Sequence, residues 1–312
     1  MPSALAEAEA TAGAAPSHAV SGRPGRRAER GFALLAIAPA ALLVLCLMLV
    51  PMAGALGISF FKTDGVTASF VGLANYAQLL SDPLVGAVLL VNLQFLIAVP
   101  LVLTAATLVA VLLYEKVLGW RAFRIIFFIP SVLSTAVIGL MFKSTFAFDG
   151  PINKLVIAAG GAPVSFFSTP TLAIAVIILA LVWSGFGYGA LIVLAGLSAI
   201  EPQIYEAAEL DGAGWWQKLF HITLPQIRRV LLFVSVINVI YTFTSLFGFV
   251  YVMTAGGPGY STTTLDYLIY QKAFSSADMG SGSALAILVF LLIGVLTVLQ
   301  ALVSRERRPS NG

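Results

Sequence analysis

Six long apolar runs, at 32–60, 84–113, 125–142, 172–200, 230–252 and 283–303, alternate with short polar stretches along the chain. Each approaches or exceeds the length, about 20 residues, that crosses a hydrocarbon core as a helix. None has the apolar–polar alternation of a barrel strand, and backbone groups in lipid must find their partners within the segment. The pattern therefore predicts an all-α membrane protein with six transmembrane helices. Pro39, Pro51 and Pro100 fall inside these runs and predict local kinks. Residues 1–31 are rich in Ala, Ser, Gly and Pro and end in the basic cluster Arg23, Arg26, Arg27 and Arg30, the signature of a disordered, solvated tail. A second tail is expected at 305–312, leaving 32–304 as one membrane domain. "AGA" at 53–55 resembles a signal-peptide cleavage site, but the apolar stretch before Pro51 is longer than the about 7–15 residues of a signal core, so an uncleaved first span is expected.

Composition agrees: 59% of residues are hydrophobic and 10% charged, against about 45–50% and 25% in soluble domains. Mean hydropathy is +0.98. Cys46 is the single cysteine and lies in an apolar run, which excludes an intrachain disulfide and any Cys/His metal spacing. A pI near 9.0 is compatible with a nucleic-acid partner. The cations, however, flank the apolar runs, where they orient spans. With the amino terminus in the cytoplasm, that side receives thirteen: Arg23, Arg26, Arg27, Arg30, Lys116, Arg121, Arg124, Lys218, Arg228, Arg229, Arg305, Arg307 and Arg308. The other side receives four, Lys62, Lys143, Lys154 and Lys272. This asymmetry predicts a multi-pass protein of the cell membrane with both termini cytoplasmic, and it places the polar stretch between the fourth and fifth runs in the cytoplasm.

That stretch, 201–225, is an elbow. "EPQIYEAAEL" reads as a short helix with Pro202 in its first turn. Asp211 and Gly212 break it: Asp211 is placed to cap a following helix, and Gly212 permits a backbone conformation closed to other residues. "GWWQKLF" then starts in a new direction, and "ITLP" returns to the membrane. An acidic first arm followed by an aromatic second arm suits docking to a partner, or equally an interfacial helix with Trp215 and Trp216 at headgroup depth.

Glu206-Ala207-Ala208, Asp211-Gly212-Ala213, and Phe220, Ile222, Leu224 and Pro225 closely resemble the EAA loop of bacterial ATP-binding cassette (ABC) importer permeases. "TAGGPGYSTTTLDYLIYQKAF" (254–274), "FVGLANYAQLLSDP" (70–83), "FRIIFFIPSVLS" (123–134) and "LAGLSAI" (194–200) resemble segments of the carbohydrate-uptake branch, so the likeness covers nearly all of the chain after residue 30. It implies the six-helix type I permease fold and a loop, carried by Glu206, Ala207, Ala208, Asp211, Gly212, Ala213 and Pro225, that docks into a cleft of an ATP-binding subunit. It further implies a second, similar permease, two copies of the ATP-binding subunit, an extracytoplasmic substrate-binding protein, and a sugar or polyol as cargo. No cofactor or metal is implied.

The residues bound the alternatives. No GxxxxGK[ST] phosphate loop occurs, so the ATPase must be a partner. The two histidines, His18 and His221, lie in the tail and the elbow, out of reach of a serine within a span, which excludes a Ser–His membrane hydrolase. Every Asp (64, 82, 149, 211, 266 and 278) maps to a loop or span end, which excludes an intramembrane aspartyl protease. An ion-coupled secondary carrier shares the composition, but such carriers often hold an ionisable residue at depth and these runs have none near their centres. Candidates for a substrate path are Trp183 and Tyr188 in the fourth run and Asn238, Tyr241, Thr242 and Ser245 in the fifth; the last four follow helical i, i+3, i+4, i+7 spacing on one face. Each serves equally well as polar glue between helices.

Overall fold

The computed structural model describes residues 26–305. Residues 1–25 and 306–312, with Arg23, Arg307, Arg308, His18 and most of both expected tails, lie outside the described residues. The chain divides into two units at Gly54 and Ala55. The first contains α1 (Arg26–Val44), which begins within the stretch expected as tail, and a π-helical turn, Leu45–Leu49. α2 (Val50–Ile58) follows without a break. The π turn ends two residues before Pro51, whose missing N–H and bulky ring an extra residue per turn accommodates.

The second unit begins within α2 and continues with a hairpin, β1 (Phe61–Thr63) and β2 (Ala68–Phe70), paired Phe61 to Phe70 and Thr63 to Ala68. Its turn is held by Asp64, whose Oδ1 accepts from the Val66 and Thr67 amides at 2.9 and 2.7 Å and holds the carboxyl below the usual range. α3 (Ala74–Ser81) leads into α4 (Pro83–Phe95), which Asp82 caps by accepting from the Leu84 amide at 2.9 Å. A short break precedes α5 (Ala98–Tyr114), near Pro100. α9 (Pro170–Leu197) is the central rod.

The runs expected as the third and fifth spans are not single helices. The third is α6 (Trp120–Val132) and α7 (Thr135–Thr145), bent by 100° because Leu133 and Ser134 are extended. The fifth is α13 (Arg228–Thr244) and α14 (Phe247–Met253), separated at Ser245 and Leu246. Among the described residues, four helices are long and apolar enough to cross a membrane, and up to six if each bent pair, α6–α7 and the elbow's second arm with α13, counts as one span. Smaller helices, α8 (Pro151–Ala158) and α15 (Leu265–Tyr270), fall in expected loops, and α16 (Met279–Arg305) closes the bundle.

Close approach to α9 organises the bundle. A Cβ on Gly189 would sit 3.0 Å from the Ala106 Cβ on α5, and one on Gly196 would sit 2.8 Å from Val230 on α13. At Gly187 a Cβ would collide with the Phe127 carbonyl oxygen of α6. Ala106, Ala110, Ala190, Val193 and Leu197 form one buried cluster between α5 and α9. Asn92 is the polar pin: buried on α4, it donates to the Thr242 carbonyl at 3.0 Å and accepts from the Leu265 amide at 2.8 Å, joining α4, α13 and α15.

Candidate functional site: an elbow and a central cavity

The elbow's first arm is α10 (Pro202–Leu210), with Pro202 in its first turn. It ends in a Schellman arrangement: the Gly212 amide donates to the Glu209 carbonyl at 3.0 Å and the Ala213 amide to the Ala208 carbonyl at 2.9 Å. Gly212 carries the left-handed backbone this requires, at φ +79°. Asp211 thus closes the first arm instead of capping the second, a correction to the reading from sequence. The residue before α11 (Trp215–Lys218) is Gly214, whose amide donates to Gln217 Oε1 at 2.8 Å. A π turn (Leu219–Thr223) and α12 (Leu224–Gln226) complete the second arm. This arm meets α13 at 69°.

The arms are braced to each other. Tyr205 and Thr223 hydroxyls lie 3.1 Å apart, and Lys218 Nζ pairs with Glu209 Oε1 at 2.7 Å. Burial raises the Tyr205 hydroxyl above its ordinary range, partly offset by the Thr223 bond, so it stays neutral at physiological pH. Behind the brace is a cavity of about 300 Å³ between the elbow and the ends of α5 and α9. Trp215 Nε1 donates to Glu115 Oε1 across it.

Of the residues expected to act at the elbow, Ala208 is buried and Ala213 half-buried, while Glu206, Ala207, Asp211, Gly212 and Pro225 are exposed. Leu210 (90% exposed), Trp216 (63%) and Phe220 (57%) add a large apolar component to the same surface. Trp216 and Phe220 stack at 6.0 Å. Exposed apolar bulk of this kind suits a docking surface or the membrane interface. A Cβ on Gly212 would meet nothing within 4 Å in this chain, so its constraint here is the backbone conformation.

A second cavity, about 260 Å³, lies where α6, α9 and α13 meet, and it is lined by Ser131, Ile138, Gly185, Tyr188, Asn238 and Tyr241 among others. The structure divides the six path candidates. Tyr188, Asn238 and Tyr241 reach this cavity. Asn238 Nδ2 donates to the Val234 carbonyl of its own helix at 2.8 Å, leaving its oxygen as the acceptor that a ligand can use. Thr242 does not line it: its side chain is buried, donates to the Asn238 carbonyl at 2.9 Å, and its carbonyl is held by Asn92. Trp183 packs on Phe142 (5.8 Å) in the apolar core, and Ser245 ends α13 beside Thr244 at 3.3 Å.

Ser131 was not singled out from sequence, yet it fixes one wall. Its hydroxyl donates to the Ser184 carbonyl at 2.8 Å and accepts from the Tyr188 amide at 3.1 Å. The signal was its position one residue after Pro130, at the end of a helix. Asp266, counted as a loop residue, is tucked into the fold, where Oδ2 accepts from the Phe247 amide at 2.6 Å and so holds the start of α14. Among the described residues no group of three His, Cys, Asp or Glu is placed to hold a metal.

Comparison with known proteins agrees with these elements. Residues 68–309 match the family described as "binding-protein-dependent transport system inner membrane component". The chain is 34% identical over 281 residues to the lactose transport system permease protein LacF of Rhizobium radiobacter, covering 88% of this chain and 94% of that one. It is 32% identical to the trehalose/maltose transport system permease protein MalF of Thermococcus litoralis, over 91% and 96% of the two chains. Its fold is similar to a chain of a bacterial alginate ABC transporter, solved in complex with an alginate pentasaccharide-bound periplasmic protein, with a TM-score of 0.79, 20% identity, and coverage of 90% of this chain and 96% of that one. The chain belongs to the inner membrane components of binding-protein-dependent transport systems, and it is a permease of the ABC importer fold.

Proposed function

We propose that this permease moves a carbohydrate or related polyol inward, driven by ATP hydrolysis in partner subunits. Its partners would be a second, similar permease, two copies of an ATP-binding subunit and an extracytoplasmic substrate-binding protein, and both of its termini would be cytoplasmic. The observation that carries the reading is the elbow: a cross-braced, two-armed element with Glu206, Leu210, Trp216 and Phe220 on its exposed surface, joined to α9 and α13. A rigid element joined to two membrane helices passes a displacement into the bilayer, where a flexible loop would absorb it. The EAA pattern of Glu206, Ala207 and Ala208 falls on this element, and the lactose, trehalose and maltose relatives support a sugar as cargo.

Within the membrane, Tyr188 and Tyr241 offer aromatic faces and Asn238 an acceptor around the central cavity, the combination that holds a sugar ring by stacking and hydrogen bonds. Family membership disfavours an ion-coupled carrier. Uptake of radiolabelled lactose, maltose, trehalose and glycerol 3-phosphate by cells expressing the chain with its genomic neighbours tests the reading. Uptake of at least one, abolished when the ATP-binding partner is inactivated, is expected. Uptake that survives that inactivation but collapses with the proton gradient would overturn it.

A further inference from the structure

Beyond its chain connections to α9 and α13, the elbow has a third attachment. Glu115 directly follows α5 and accepts the bond from Trp215, the first residue of α11. Next to it, Tyr114 packs its ring 6.2 Å from that of Tyr205 on α10. The end of α5 therefore grips both arms. A carboxylate is electrostatically disfavoured at a helix C-terminus, so the helix gains nothing from Glu115 at that place. Its bond to an indole N–H in the other arm is what the position supplies.

What lies along α5 gives this attachment a consequence. α5 is locked to α9 where Ala106 meets Gly189 and Val102 meets Gly185, at 3.0 and 3.4 Å from the positions a Cβ would take. Gly185 is also part of the central cavity wall, where an added Cβ would lie 3.8 Å from Asn238 Oδ1. The α5–α9 pair thus runs as one packed body from the elbow to the cavity. We infer that Glu115 is a positioning residue for transport: by tying the second arm to α5, it makes a displacement of the elbow move α5 and α9 together and so reach the cavity wall. This rests on the elbow being the coupling element. Without the tether, the second arm would reach α5 and α9 only through its braces to the first arm, Tyr205–Thr223 and Lys218–Glu209, and through the packing of Leu219.

The test uses the complete reconstituted importer, with maltose or whichever panel sugar the wild type imports as the probe, and reads sugar moved per ATP hydrolysed. Glu115→Ala should lower that ratio at least tenfold while the complex still assembles and hydrolyses ATP. Glu115→Gln, which keeps an oxygen acceptor, should return to within about threefold of wild type. Trp215→Phe, which keeps a ring but loses the donor, should match Glu115→Ala, and the double variant should be no worse than either, the mark of one shared interaction. A wild-type ratio in Glu115→Ala, or losses that multiply in the double variant, would overturn the inference. If Glu115→Ala fails to assemble, Trp215→Phe alone decides, and a wild-type ratio there overturns the tether. Gly212→Val is measured in parallel. A wild-type ratio in that variant sinks the coupling reading itself, whereas its loss beside unaffected Glu115 and Trp215 variants sinks only the tether.

Discussion

Gly187→Ala is the sharpest test of the packing that shapes the central cavity. The added methyl would overlap the Phe127 carbonyl oxygen and come within 2.8 Å of Ser131 Oγ, so α6 must move away from α9. Overpacking of this kind costs about 1–3 kcal/mol. Displacing α6 also weakens the two Ser131 bonds, to the Ser184 carbonyl and from the Tyr188 amide, each worth about 0.5–1.5 kcal/mol net. The sum, up to about 2–6 kcal/mol, is large against the marginal stability of a folded domain. Gly86→Ala is the control: it lies in α4 with nothing within 4 Å of a new Cβ, and helix propensity makes it neutral or stabilising by up to about 1 kcal/mol. Heating the purified protein in detergent and following the monodisperse fraction by size exclusion should show Gly187→Ala lost well below wild type and Gly86→Ala at or above it. Equal midpoints for the two variants would refute the α6–α9 approach and with it the described cavity.

Asn92→Ala leaves the buried Leu265 amide and Thr242 carbonyl without their partner, each worth about 1–3 kcal/mol, so a similar loss of heat-stability is expected; unchanged thermal loss would mean the pin is not formed. Asn238→Ala or Tyr241→Ala should weaken sugar uptake with the amount of assembled complex unchanged, whereas Thr242→Val should leave uptake within about twofold. The reverse order would return Asn238 and Tyr241 to the role of helix glue. Reporter fusions after Arg308 and at Gly160 should read cytoplasmic and exported respectively, as the thirteen-to-four division of Lys and Arg implies; the same side for both would mean that a span is miscounted.

The long apolar runs were legible where one helix is long enough to announce itself, as in α9, where 28 residues run unbroken. The third run was not, because its break depends on two extended residues, Leu133 and Ser134, that hydropathy does not register. The hairpin escaped because strands of three residues show no periodicity. At the elbow, Gly212 and the arms that flank it follow from local chemistry, but Asp211 suits either side of a turn, and only backbone bonding assigned it to the first arm. Helical spacing placed Thr242 on the face of Asn238, yet its side chain is buried away from the cavity and its hydroxyl is spent on the Asn238 carbonyl. Trp183 illustrates a signal within reach: it and Tyr188 are five residues apart, about 140° around a helix, so one cavity does not take both.

The central claim is that the elbow transmits work from an ATP-binding partner to the membrane helices. Gly212→Val tests it most directly, because the φ of +79° makes any residue with a Cβ cost about 1–2 kcal/mol there while the Cβ itself meets nothing within 4 Å in this chain. Glu206→Lys reverses one exposed charge on the first arm, at the rim of the cavity that the elbow shares with the ends of α5 and α9. In the reconstituted complex, sugar import by both variants should collapse with the permease still inserted in the membrane, and ATP hydrolysis should be lost or no longer respond to substrate. Wild-type import by both would contradict the account and leave the elbow an interfacial helix.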